Sequence, residues 1–154
     1  MADTDDMRRP QVEDTRRDRA RSLSSLHEVE RLAGAAGPTR PHEWRDDLLM
    51  AIEELSTSLH DQYERSGGDD GLLARVVVET PHLSNSVAEL RRTQSKVSDE
   101  LDHLRQSLTD LSRTVDVAAV RRKVADLTAQ IRELRAWETD IVYEAYDFDL
   151  GTGD

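Results

Sequence analysis

His60-Asp61-Gln62-Tyr63-Glu64 sets an imidazole and a carboxylate four residues apart, so that on a helix both lie on one face and can ligate the same metal ion. A metal site inside a helix bundle needs inward-facing nitrogen or carboxylate donors from several helices. Of the other four histidines, His82 and His103 fall one step off an apolar stripe and belong to its solvated edge, and His42 belongs to a first helical turn. His27 follows Leu26 and can reach a core, and Glu138 interrupts an apolar stripe late in the chain. The candidate metal set is therefore His60, Glu64, Glu138 and His27, which is short of imidazoles for a transition metal.

Other chemistries find less support. With no cysteine, disulfides, thiolate metal sites and thiol catalysis are excluded, which agrees with a reducing cytoplasm. Gly67-Gly68-Asp69-Asp70-Gly71 is followed by no lysine and reads as a helix break, not a phosphate cradle. A serine triad needs a strained elbow and an oxyanion hole, and the pattern supplies neither. Lys and Arg number 21 against 32 Asp and Glu, a net charge of -11 that repels nucleic acid and anionic lipid unless the bases are segregated. The arginine pairs are instead interleaved with acids. The acids are the more localised: no base follows Arg135, whereas Glu138, Asp140, Glu144, Asp147, Asp149 and Asp154 do. Trp137, Tyr143, Tyr146 and Phe148 lie in the same stretch, and this acidic, aromatic end is the candidate surface for a protein partner. A homo-oligomer is compatible with the pattern; a membrane is not, since the acidic opening lacks a signal-peptide core and no apolar run is long enough to span.

The elements that must position these residues are helices. Leu83, Val87, Leu90, Gln94, Val97, Leu101, Leu104, Leu108 and Leu111 repeat in steps of four and three, the seam of a helix packed along another helix. Gln94 is its one polar member, and a buried amide costs free energy unless something meets it. A second stripe starts out of phase at Val117 and runs through Val120, Val124, Leu127, Ile131, Leu134, Glu138, Ile141, Ala145 and Phe148. The phase slip across Ser112 to Asp116 predicts a hairpin that pairs Leu104 with Val124, Val97 with Ile131, Gln94 with Leu134 and Leu90 with Glu138. The competing pattern is one unbroken helix from Pro81 to Asp147, as in an elongated coiled-coil scaffold.

Upstream, a helix opens near Pro41 and carries Trp44, Leu48, Ile52, Leu55, Leu59 and Tyr63 on one face before the Gly67-Gly68 break. Leu72 to Glu79 reads as a short segment, helical or extended, with Asp69 and Asp70 placed to cap it and Thr80-Pro81 restarting the chain. The first helix spans Val12 to Ala33, with its stripe at Leu23, Leu26, Val29 and Leu32 or Ala33, while Arg16, Arg17, Arg19 and Arg21 project beyond the core. The expected architecture is all-α: an up-and-down four-helix bundle over residues 12–148 with a short extra segment between helices 2 and 3. A mobile tail of residues 1–11 and an acidic tail of residues 149–154 flank it.

From His42 to Asp149 the pattern resembles hemerythrin-like four-helix bundles, in which His and carboxylate ligands hold a non-haem di-iron centre. Leu59-His60-xxx-Glu64, the glycine break before Gly71-Leu72-Leu73, Pro81-His82-Leu83 opening a long helix, and Asp140-Ile141-Val142-Tyr143-Glu144-Ala145-Tyr146 carry the resemblance. It implies a ligand role for His60 and Glu64 alone, because Gln94 and Leu134 stand where further histidines would be expected. The expectation is a divergent member with a degenerate metal site and no cofactor, not an enzyme, acting by binding another protein. The alternative is an iron protein that binds or senses oxygen through His60 and Glu64, helped by Glu138 and His27.

Overall fold

The computed structural model describes the backbone of residues 4–35, 39–110 and 114–151, with side chains over 13–35, 39–110 and 114–146. Among the described residues five α-helices follow one another: α1 (Thr4–Ala33), α2 (Pro41–Gly67), α3 (Leu72–Glu79), α4 (Ser84–Thr109) and α5 (Val117–Gly151), with a 3₁₀ turn at Pro81–Leu83. The four long helices run alternately up and down. Each packs on two neighbours, α1 on α2 and α5, and α4 on α2 and α5, which is the expected four-helix bundle with an extra segment between its second and third long helices.

Buried apolar side chains at the predicted spacing produce this arrangement. On α4, Val87, Leu90, Val97, Leu101, Leu104 and Leu108 are buried together with Gln94; on α5, Val124, Leu127, Ile131, Leu134, Ile141 and Ala145 are buried together with Glu138. Leu111 and the Phe148 side chain lie outside the described residues. α4 ends at Thr109 and α5 starts at Val117, so the hairpin forms and the uninterrupted helix does not. Asp116 starts α5: its Oδ1 accepts the Ala119 amide at 3.0 Å, satisfying one of the exposed N–H groups of the first turn. A side-chain bond from Gln130 Nε2 to Glu100 Oε2, 3.4 Å, marks the antiparallel register.

α2 opens with Pro41 in its first turn and Glu43 beside the exposed amides, and it buries Trp44, Leu48, Ile52, Leu55 and Leu59. α3 is helical, and Leu73 and Val76 seal the bundle end. Gly71, not Asp69 or Asp70, stands at its N-cap, with no side-chain cap bond. A Cβ at Gly71 would sit 2.2 Å from the Arg65 carbonyl oxygen and 2.3 Å from that of Ser66, so only glycine lets the chain turn back against the last turn of α2. The C-terminal carbonyls of α1 are met from other helices: Trp44 Nε1 donates to Leu32 O at 2.7 Å, and Arg121 donates to Ala33 O at 2.7 Å and to Ala35 O while lying over the Trp44 ring. α1 begins at Thr4, well before Val12, so residues 4–11 of the expected tail are helical.

Candidate functional site: a buried polar slice and the acidic end of α5

Glu138 interrupts the core stripe of α5 between Leu134 and Ile141 and is 1% exposed. Its Oε1 accepts Ser66 Oγ at 3.3 Å across the diagonal of the bundle and lies 3.8 Å from Arg19 Nη2 of α1. One turn back along α2 from Ser66, Gln62 is also buried, and its Oε1 lies 2.7 Å from Ser22 Oγ. The same hydroxyl lies 3.2 Å from the Arg19 carbonyl, so its single proton serves one acceptor at a time. A further turn back along α1, Asp18 is buried and pairs with Arg65 Nη1 at 3.1 Å. Three helices thus place an ionisable or hydrogen-bonding side chain in one region of the core.

Burial dominates its electrostatics. It pushes the Glu138 carboxyl above the usual carboxylate range, against the pull of Arg19, Ser66 and Arg135. Burial likewise raises the Tyr63 phenol, to which the nearby Glu138 charge adds, and raises Asp18 against the pull of Arg65. Arg135 is lowered, first by burial and then by Arg19 and Arg132. The slice is also incompletely paired: Gln62 Nε2, Tyr63 Oη and Arg19 Nε are buried without a hydrogen-bond partner. Each such group costs about 1–3 kcal/mol. A cavity of about 30 Å³ touching Asp18, Gln62 and Ser66 has room for a single water.

The expected ligand set does not assemble. His60 and Glu64 lie on the outer side of α2 and are exposed, because Leu59 and Gln62 take the inward face; His27 is exposed on α1; only Glu138 is inside. His60 instead lines an open groove with Ser56, Asp102 and Arg105 between α2 and α4. Among the described residues no three His, Asp or Glu side chains gather as a metal-holding group. Gln94 and Leu134 are both buried, as the hairpin register requires. The polar contacts of Glu138, however, come from Arg19 and Ser66 and not from α4. Arg19, expected beyond the core, is drawn into it with its side chain 25% exposed.

Comparison with protein-family models, curated proteins and solved structures gave no match.

Sequence reasoning missed Gln62, Ser66, Ser22 and Asp18, although the spacing contained them. Leu55, Leu59, Gln62 and Ser66 continue one inward stripe, as do Asp18, Ser22, Ser25 and Val29. Following Tyr63 in place of Gln62 put the reading one residue off the inward face.

At the C-terminal end of α5, Trp137 and Tyr146 are partly buried against the core, whereas Tyr143 is 66% exposed. Exposed Asp140 and Glu144 flank Tyr143 one turn before and one residue after it, and Glu144 lies 3.9 Å from His82 Nε2. Among the described residues no helix is long and apolar enough to cross a membrane.

Proposed function

We propose that this chain is a non-catalytic binding protein that docks a basic protein segment on the outer face of the α5 C-terminal end. The observation that carries this reading is Tyr143, a large ring 66% exposed among acids on a helix whose other described aromatic side chains, Trp137 and Tyr146, pack against the core. Tyrosine supplies contact area at little entropic cost, and the absence of any base after Arg135 selects a cationic partner. The buried slice around Glu138 supports the same reading, since a carboxylate shared by three helices serves the scaffold.

Tyr143→Ala and the pair Asp140→Asn with Glu144→Gln test it, because these positions are exposed and leave the core intact. Capture from the native host should recover one cationic protein with the wild-type chain, and both variants should lose it while their melting is unchanged. Equal recovery by wild type and variants overturns the proposal. Binding that falls only when melting falls overturns it as well.

A further inference from the structure

α5 carries its charge in two blocks. From Arg121 to Arg135 it holds Arg121, Arg122, Lys123, Arg132 and Arg135 against Asp126 and Glu133. After Arg135 the described charges are Glu138, Asp140 and Glu144, all acidic. A helix that is basic in its first half and acidic in its second is complementary to itself when turned end for end. The face that such a copy would meet is open. Ala118, Ala125, Ala129, Ala136 and Tyr143 recur in steps of seven and four, on the side of α5 turned away from the buried Leu127, Leu134 and Ile141. These alanines are exposed, as are Arg122, Asp140 and Glu144 along one edge of that face. Alanines let a second helix approach closely, and they give the ring of Tyr143 a flat surface to lie on.

We propose that two copies of this chain pair antiparallel through the outer faces of α5, the basic half of each covering Tyr143 of the other. The inference rests on the reading of this end of α5 as a dock for a basic segment, and it names the segment. A cationic partner from elsewhere competes for the same ring and acids, so the pair is the form that holds the site when no such partner is bound.

One register satisfies charge and shape together. With Arg122 of each copy beside Asp140 of the other, Glu144 comes to the first turn of the other copy's α5, where exposed backbone amides favour negative charge. Within a residue of the same register, Ala136 meets Ala125, and Tyr143 lies beside Ala118, one turn from Arg122. The cost falls at the two-fold axis, level with Ile131, where the Arg132 guanidinium groups of the two copies approach. Each is already paired with Glu30 of its own chain. The contact is isologous, so every interaction occurs twice, and the two Tyr143 anchors stand roughly 35 Å apart along the helices.

Sedimentation equilibrium of the full chain over a wide concentration range at low salt should show reversible growth from 17.5 kDa towards twice that mass, and added salt should oppose it. Arg122→Asp and Asp140→Arg each set like charges in contact and should each weaken association at least tenfold, while the chain carrying both should recover to within about threefold of wild type. Both positions are exposed, so helicity should be unchanged in every variant. A chain that is monomeric throughout, equal association in Arg122→Asp and wild type, or no recovery in the double variant overturns the inference. The two readings fail separately. A monomeric wild-type chain that captures a cationic host protein, and loses it on Tyr143→Ala, overturns the pairing alone; a chain that neither pairs nor captures overturns both.

Discussion

Replacing Glu138 by Gln keeps the shape of the side chain and an acceptor for Ser66 Oγ, 3.3 Å away, while removing a charge from a site that is 1% exposed. A buried group that is poorly paired costs about 1–3 kcal/mol, more when charged, and a neutral amide of similar volume escapes the charge penalty. The lost contact with Arg19, 3.8 Å long and to a side chain 25% exposed, returns at most about 1 kcal/mol. The net expectation at neutral pH is a gain of about 1–2 kcal/mol, or roughly 3–6 °C in melting temperature for a chain of this size. The gain depends on pH in a defined sense. Because the folded Glu138 carboxyl is raised above the ordinary glutamate value of 4.5, the unfolded chain loses this proton first as pH rises, and the wild type loses stability across that interval. Below the unfolded value both states hold the proton and no penalty exists. Urea denaturation followed by circular dichroism at about pH 4 and pH 7.5 should therefore show the advantage of Glu138→Gln growing with pH. A variant less stable than wild type at pH 7.5, or an advantage that shrinks as pH rises, would refute the view that burial outweighs pairing at this carboxylate.

Two further perturbations test the packing around the slice. Tyr63→Phe removes a buried hydroxyl that has no hydrogen-bond partner, and should raise stability by about 1 kcal/mol in the same urea assay; a loss of that size would show that the hydroxyl is bonded. Gly71→Ala forces a Cβ into backbone oxygens at 2.2 and 2.3 Å and should cost about 1–3 kcal/mol. Gly67→Ala first meets the Arg91 guanidinium, at 2.7 Å, the far end of a flexible side chain. It should range from neutral to about 1 kcal/mol stabilising, and equal losses at the two glycines would refute the close-approach argument.

The fold was legible wherever burial coincided with apolar residues. The seam of α4, the stripe of α5, the Pro41 start and the hairpin between Thr109 and Val117 all follow from spacing and turn chemistry. It ceased to be legible where the inward face turns polar, because apolar periodicity carries no signal through Asp18, Ser22, Gln62 and Ser66. Glu138 was visible as an intruder, but its partners were not. Ser66 and Arg19 are far away in sequence, on helices whose rotation is set by packing and not by any local pattern. Arg45 was hidden for a different reason. A charged residue beside Trp44 defaults to solvent, and only tertiary packing leaves its side chain 7% exposed.

The shared carboxylate also restricts how the helices can slide. An apolar seam tolerates displacement by a turn, since one leucine replaces another at modest cost. Here a one-turn shift of α5 would bring Leu134 or Val142 opposite Ser66 and Arg19 and carry Glu138 among hydrocarbon without either companion. The three-helix contact thus works as an alignment mark, trading some cohesion for a single axial position of the last helix.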